Sequence, residues 1–115
     1  MLARANRFHG LGSLRLVYRT GQSVRGQNLA IKYMVNERRK SFRCAVVVSK
    51  KVSKSAVVRN RIRRRVMEVV RLLQPQINKP YDIVIMIYSD QMAEMPADIL
   101  ANNLKNLLTQ AGVIS

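Results

Sequence analysis

Residues 42–88 decide the fold, and they read FRCAVVVSKKVSKSAVVRNRIRRRVMEVVRLLQPQINKPYDIVIMIY. Residues 42–49 are mostly apolar and β-branched, which favours a strand. Residues 56–73 carry apolar side chains at helical spacing, and residues 81–88 are almost continuously apolar apart from Asp82, as in a strand covered on both faces. A strand, a long helix and another strand form a crossover, which places the two strands parallel in one sheet.

The helix predicted over residues 56–73 has recognisable ends. Ser55 is a suitable N-cap residue, and Pro75 and Pro80 stop the helix and turn the chain. The apolar side chains recur every three or four residues, which is the pattern of a helix that packs one side against a core. This stripe consists of Val58, Ile62, Val66, Val69 and Leu73.

The flanking segments add three elements. Residues 12–20 predict a short amphipathic helix, and residues 27–35 alternate as a strand with one buried face. Pro96 can open a last helix at its first position. The predicted order is therefore helix, strand, strand, helix, strand, helix. The expected fold class is α+β, with residues 1–115 forming one small domain around a sheet of four strands or fewer. In the strand over residues 27–35, one face holds Leu29, Ile31, Tyr33 and Val35, and the other holds Ala30, Lys32 and Met34.

Positive charge is the strongest compositional signal. The chain has 21 lysines and arginines against 6 acidic residues, a net charge of +15. Residues 1–71 hold 19 of the 21 basic residues and two of the six acids, so the excess lies almost entirely in that part of the chain. A polarised excess of this kind indicates one surface for a polyanionic partner.

Several classes of protein are disfavoured by the composition. No apolar run approaches the roughly 20 residues of a membrane span. The residues after Met1 lack a signal-peptide core, so we expect a cytoplasmic protein. Cys44 is the only cysteine, so neither an intrachain disulfide nor a cysteine-based zinc site can form, and we expect it to be buried.

The loop and first turns of the central helix are rich in cations. Residues 50–65 contain eight basic residues out of sixteen, at the helix end where backbone amides and the macrodipole already favour anions. Placing cations there is unfavourable for stability alone, so the pattern favours phosphate binding over a solvated face or a membrane-surface helix. The basic residues are Lys50, Lys51, Lys54, Arg59, Arg61, Arg63, Arg64 and Arg65.

This segment also resembles a known family. Residues 59–64, Arg-Asn-Arg-Ile-Arg-Arg, and the preceding Ser-Lys-Lys-Val at 49–52 are similar to the signature of the bacterial ribonuclease P protein subunit. Weaker similarity extends over residues 6–8, 17–26 and 81–84, in the family's order. The family usually has Asp-Phe where this chain has Ser13 and Leu14, which leaves Tyr18 as the only aromatic residue of the first helix.

The resemblance implies a role in maturing the 5′ end of precursor tRNA, in a complex whose RNA subunit performs the hydrolysis. It implies that the RNA subunit is bound by Lys50, Lys51, Lys54, Arg59, Asn60, Arg61, Arg63, Arg64 and Arg65. A cleft between the first helix and the sheet would hold the single-stranded 5′ leader, with Tyr18, Lys32 and Tyr33 as its candidate lining. Magnesium would be required by the RNA-containing holoenzyme, with no cofactor on the protein alone, which we expect to be monomeric.

The residues themselves argue against a protein nuclease. His9 is the only histidine, and the acids after residue 71 form no cluster suited to a two-metal site, so we expect no catalytic and no metal-binding residues. A small basic ribosomal or general RNA-binding protein would also explain the charge. A helix–turn–helix DNA-binding protein is a weaker alternative, because strands flank the arginine-rich helix on both sides.

Overall fold

The computed structural model describes residue 6 and residues 11–114. It confirms the predicted order of elements and adds one strand, giving three helices and four strands in the part of the chain it describes. Short 3-10 helices at Gln74–Gln76 and Asp90–Ala93 flank the last strand. The elements are α1 (Leu11–Thr20), β1 (Gln22–Arg25), β2 (Leu29–Val35), β3 (Arg43–Val48), α2 (Ala56–Leu73), β4 (Tyr81–Ile87) and α3 (Ala97–Ala111).

The four strands form one mixed sheet in the order β1-β2-β4-β3. β2 pairs antiparallel with both β1 and β4, whereas β3 pairs parallel with β4. The parallel crossover through α2 is therefore confirmed. β4 lies between two strands, and all but one of its side chains are buried, as its continuous apolar sequence predicted.

The two faces of the sheet carry different helices. On one face, which we call the core face, α2 and α3 pack against alternate side chains such as Ile31 and Ile85, both fully buried. On the other, the front face, α1 lies across β2 and β4 and buries Val17 against a smaller set that includes Val84. Because alternate strand residues face opposite sides, each strand contributes to both layers.

β1 was not predicted, and its position depends on a close approach to α1. Gly21 ends α1 and donates its backbone N–H to the carbonyl of Val17 at 2.8 Å. A Cβ at residue 21 would lie 2.6 Å from that same oxygen, so no larger side chain fits without a shift of the backbone. The chain turns there directly into β1, which pairs with β2 from Gln22 opposite Tyr33 to Arg25 opposite Ala30.

Candidate RNA interface

The loop after β3 and the start of α2 form the most basic surface of the described chain. Lys50, Lys51 and Lys54 are exposed and make no hydrogen bond or ion pair with any residue that the structure describes. The predicted N-cap is confirmed, because the Oγ atom of Ser55 accepts from the backbone N–H of Val58 at 3.3 Å. The first turn of α2 contains no acidic residue, so its positive end is not neutralised from within the helix.

The five arginines of α2 between residues 59 and 65 have different surroundings. Arg59 donates to the carbonyl of Ser53 at 2.9 Å, and Arg61 pairs with Glu94 at 3.3 Å with more than half of its side chain exposed. Arg63 bonds to the side chain of Asn60 one turn earlier. Arg64 is exposed and contacts no partner within residues 6 and 11–114, so its guanidinium is free for a ligand.

Arg65 has a structural role that the sequence did not reveal. Its guanidinium donates to the carbonyl of Met92 at 2.7 Å and also to that of Met95, so it ties the segment before α3 to the side of α2. The helical period places residue 65 between the exposed and the buried faces of α2, where a long side chain can reach a neighbouring loop. Arg65 is therefore less available to RNA than Arg64.

Two of the three residues predicted to line the cleft meet on the front face. The Nζ atom of Lys32 donates to the carbonyl of Tyr18 at 2.9 Å and lies 5.6 Å from the centre of the Tyr18 ring. Burial raises the pKa of Tyr18, and the charge of Tyr88 raises it further. A cation beside a half-exposed aromatic ring is the combination that holds a single-stranded nucleotide.

The third predicted residue, Tyr33, is not part of this cluster. It follows Lys32 in β2, so its side chain projects from the opposite face of the sheet. There its ring meets that of Tyr81 edge to face, with centroids 6.3 Å apart, and its hydroxyl donates to Gln22 at 3.1 Å. The structure therefore separates Tyr33 from Tyr18 and Lys32, and a single cleft cannot be lined by all three.

Tyr88 and Arg25 are front-face residues that the sequence analysis missed. The Arg25 guanidinium lies 5.0 Å from the centre of the Tyr88 ring, and Tyr88 is 48% exposed. Tyr88 follows β4 directly and continues the alternation that puts Val84 and Met86 on the front face. That alternation was the available signal, but the continuous apolar run of residues 81–88 hid it.

Acidic and sulfur ligands are not grouped for metal binding in the described part of the chain. No three of its histidine, cysteine and acidic side chains lie close enough to hold a metal ion. Cys44 is buried as predicted, and burial raises the pKa of its thiol to about 12. His9 lies outside the described residues. No helix in residues 11–114 is both long and apolar enough to cross a membrane.

A mixed four-stranded sheet with an arginine-rich crossover helix on one side and paired tyrosines and cations on the other defines a small RNA-binding protein. Comparison with known sequences then gives its family. The family described as Ribonuclease P matches residues 2–112. The ribonuclease P protein component of Roseiflexus castenholzii is 40% identical over 113 residues, covering 98% of this chain and 91% of the relative. The chain belongs to the ribonuclease P protein family.

Other relatives and solved structures agree with this assignment. The ribonuclease P protein component of a Pseudanabaena species is 35% identical over 115 residues, covering 99% of this chain and 97% of the relative. The RNase P protein structure from Staphylococcus aureus is 26% identical, with a TM-score of 0.86 over 97% of this chain and 100% of that one. The RNase P protein from Thermotoga maritima, 24% identical with a TM-score of 0.79 over 90% and 96% of the two chains, shares the fold.

The family assignment answers the alternatives left open by the sequence. The protein is a component of the ribonuclease P endoribonuclease, acts in tRNA 5′ maturation and has an RNA partner in that holoenzyme. A ribosomal role and a helix–turn–helix DNA-binding role are not supported by any of these relatives.

Proposed function

We propose that the protein binds the catalytic RNA of ribonuclease P with the basic start of α2 and the 5′ leader of precursor tRNA with its front face. The observation that carries the first part is the concentration of exposed cations around the N-terminus of α2. Backbone amides, the helix dipole and Lys54 favour phosphate at the N-terminus of α2, and Arg64, two turns further along, extends the positive surface. Arg61, with about half of its side chain exposed, and the partly buried Arg63 lie on either side of Arg64 around the helix.

The front face supports the second part of the proposal. Tyr18 with Lys32, and Tyr88 with Arg25, give two aromatic rings that each have a cation within 6 Å of the ring centre. Stacking on an aromatic ring contributes about 1–3 kcal/mol per base and tolerates any base sequence. A surface of this kind suits a leader whose sequence differs from one precursor tRNA to the next.

Hydrolysis is assigned to the RNA subunit, and the protein acts by binding. Glu68 within α2 pairs with Arg71 at 2.6 Å, and Glu94 pairs with Arg61 of the same helix at 3.3 Å. Among the residues that the structure describes, no three acidic, histidine or cysteine side chains are grouped around a metal site, so we place the magnesium ions of the holoenzyme among RNA phosphates. The protein, a monomer in the cytoplasm, lowers repulsion between phosphates and positions the leader.

The proposal is tested by cleavage of precursor tRNA at low magnesium by a bacterial ribonuclease P RNA, with and without this protein. We expect strong stimulation and a correct mature 5′ end, and no cleavage by the protein alone. Cations on the protein replace part of the magnesium that would otherwise screen the RNA, so the stimulation should shrink as magnesium is raised. Tight RNA binding without stimulation would contradict the proposed role.

A further inference from the structure

A basic groove lies near the C-terminal end of α2. It follows the five arginines between residues 59 and 65, which we call the arginine cluster. Its volume is about 500 Å³, and four parts of the chain form it: Asn6, the β2–β3 connection, the last turn of α2 and the connection from α2 to β4. Arg71 lies six residues after Arg65, the last arginine of that cluster, which is about 9 Å along a helix axis. The groove therefore begins beyond the arginine cluster, toward the C-terminal end of α2. Its polar lining includes Lys40, Arg71, Gln74, Asn78 and Lys79.

The walls of the groove are fixed by hydrogen bonds between its parts. The amide of Asn6 donates to the carbonyl of Phe42 at 2.7 Å, and the backbone N–H of Asn36 donates to the carbonyl of Pro80 at 2.9 Å. The first bond holds residue 6 against the β2–β3 connection, and the second holds that connection against the segment that leads into β4. A site held in shape before binding loses less conformational entropy when a ligand arrives.

The charge of the groove is positive and comes from separate segments. Arg71 is held by Glu68, with its Nε and one terminal nitrogen on the carboxylate. Lys40 and Lys79 are exposed and have no acidic partner among the residues that the structure describes. The negative end of the helix dipole stabilises cations near the last turn of a helix. This effect accounts for the position of Arg71, but not for the two lysines, which belong to other connections.

The lining chemistry matches a nucleotide segment. Lysines bind phosphate as point charges, the amides of Gln74 and Asn78 can donate to and accept from base edges or ribose hydroxyls, and Pro75 offers an apolar surface. The volume also falls within the roughly 300–1,000 Å³ of ligand clefts. We propose that this groove is a second RNA-docking site, which holds a phosphodiester segment of the holoenzyme at the opposite end of α2. This inference rests on the proposed function, because it takes the RNA of the holoenzyme as its ligand.

A matched pair of charge reversals tests the site. Lys79→Glu alters the groove, whereas Lys105→Glu makes the same change on the exposed side of α3. We expect Lys79→Glu to weaken binding of the holoenzyme RNA severalfold and to reduce the slope of log K against log salt by about 0.7–0.9 for one lost phosphate contact. Lys105→Glu should change affinity less than twofold. Equal losses in the two variants would show only a long-range effect of net charge and would overturn the site.

A tethered cleavage probe locates the RNA directly. The substitution Asn78→Cys places a thiol at the groove, while Cys44 is buried, with its pKa raised to about 12, and does not take the label. An iron-EDTA group attached to the new thiol should cut a few adjacent nucleotides, and the RNA that is cut identifies the source as the RNA subunit or the precursor tRNA. The same probe on Lys105→Cys should cut more weakly. Absence of discrete cuts from the labelled Asn78→Cys variant would refute the docking site.

The two proposals fail in different ways. If Arg64→Ala weakens RNA binding but Lys79→Glu does not, the proposed function stands and the groove has no part in it. If neither change alters RNA binding, both proposals fall. Because the side chains of Lys79 and Arg64 are exposed and have no hydrogen-bond or ion-pair partner among the described residues, each variant should keep the unfolding midpoint of the original protein, which circular dichroism can check.

Discussion

Arg43 and Asp82 form a buried ion pair on the front face, where two parallel strands meet. The Nε and one terminal nitrogen of Arg43 donate to the two carboxylate oxygens of Asp82 at 2.9 and 2.7 Å, and Asn36 donates to the same carboxylate at 3.1 Å. The side chains are only 7% and 2% exposed. Such a pair contributes little net stability, but removing one partner leaves the other charge buried.

We therefore expect Asp82→Ala to lower the free energy of unfolding by about 3–5 kcal/mol, because the Arg43 charge would lose its carboxylate in a site closed to water. Asp90→Ala, which removes an exposed acid, should change it by less than about 0.5 kcal/mol. Urea unfolding of the two variants measures the difference. A loss for Asp82→Ala no larger than that for Asp90→Ala would mean that water or another group replaces the carboxylate, at variance with the burial of the pair.

Tyr18 and Tyr33 make a natural pair of variants, since they are equal in chemistry and lie on opposite faces of the sheet. Tyr18→Ala should weaken binding of leader-bearing precursor tRNA relative to leaderless tRNA, by about 1–3 kcal/mol for one lost base stack. Tyr33→Ala should lower stability, because its ring packs against Tyr81, and should leave the discrimination unchanged. The test is to measure the affinities of holoenzymes assembled with each variant for leader-bearing and for leaderless tRNA. A larger loss of discrimination in Tyr33→Ala would move the leader to the other face.

Tyr33 and its neighbour Lys32 show what the sequence could predict of the site. The alternation in residues 27–35 already placed Lys32 and Tyr33 on opposite faces, so a cleft lined by both was inconsistent with the predicted strand. Tyr88 and Arg25 were missed for a different reason. They are distant in sequence and come within 5.0 Å only because β1, β2 and β4 are neighbours in the sheet.

At the scale of elements, α2 serves two purposes on its two sides. Its apolar stripe, with Ile62, Val66 and Val70 buried, closes the core, and its outer side carries the cations. Burial imposes a helical period, so the sequence predicted Ile62, Val66 and Leu73 correctly, but Val70 is buried where Val69 was predicted, and Val69 is only partly buried. The sequence could not predict that Arg64 is free while Arg65 is hydrogen-bonded, because the bonds of Arg65 depend on where the Met92 and Met95 carbonyls lie.

Adjacent arginines of α2 should consequently respond in opposite ways. Arg64→Ala should weaken binding to the RNA subunit and change the free energy of unfolding by less than about 0.5 kcal/mol. Arg65→Ala should lower that free energy by about 1.5–3 kcal/mol, the range for hydrogen bonds to a charged group. Denaturant unfolding and RNA titration of each variant separate the two effects. Equal stability of both variants would show that the bonds from Arg65 are replaced by water.

The strand that sequence reasoning missed, β1, has almost no signal of its own. Its four residues, Gln-Ser-Val-Arg, are exposed except for partly buried Val24, so neither apolar alternation nor a β-branched run marks it. Its strand geometry comes from pairing with β2, which is long and half-buried. The other strands were predicted because each supplies side chains to the core.

At the scale of the whole molecule, basic and acidic residues are divided between different elements of the fold. Residues 1–71 carry the positive excess and include α1, β1, β2, β3 and nearly all of α2, while β4 and α3 belong to the acidic part. Acidic residues of the later part contact the basic part at particular places, as in the Arg61–Glu94 pair and the buried Arg43–Asp82 pair. The remaining cations stay exposed on α2 and its loops. The uneven distribution of charge along the sequence therefore concentrates positive charge on one part of the surface.

The central position of β4 has a consequence for biosynthesis. The ribosome makes β2 and β3 first, and the strand that joins them does not exist until residue 87 has been translated. Before then only the β1–β2 hairpin can pair, and two strands alone are marginally stable in water. The nascent chain therefore emerges as an unfolded polycation beside ribosomal RNA. Folding of the sheet, and with it release from that non-specific attraction, waits for the acidic last third of the chain.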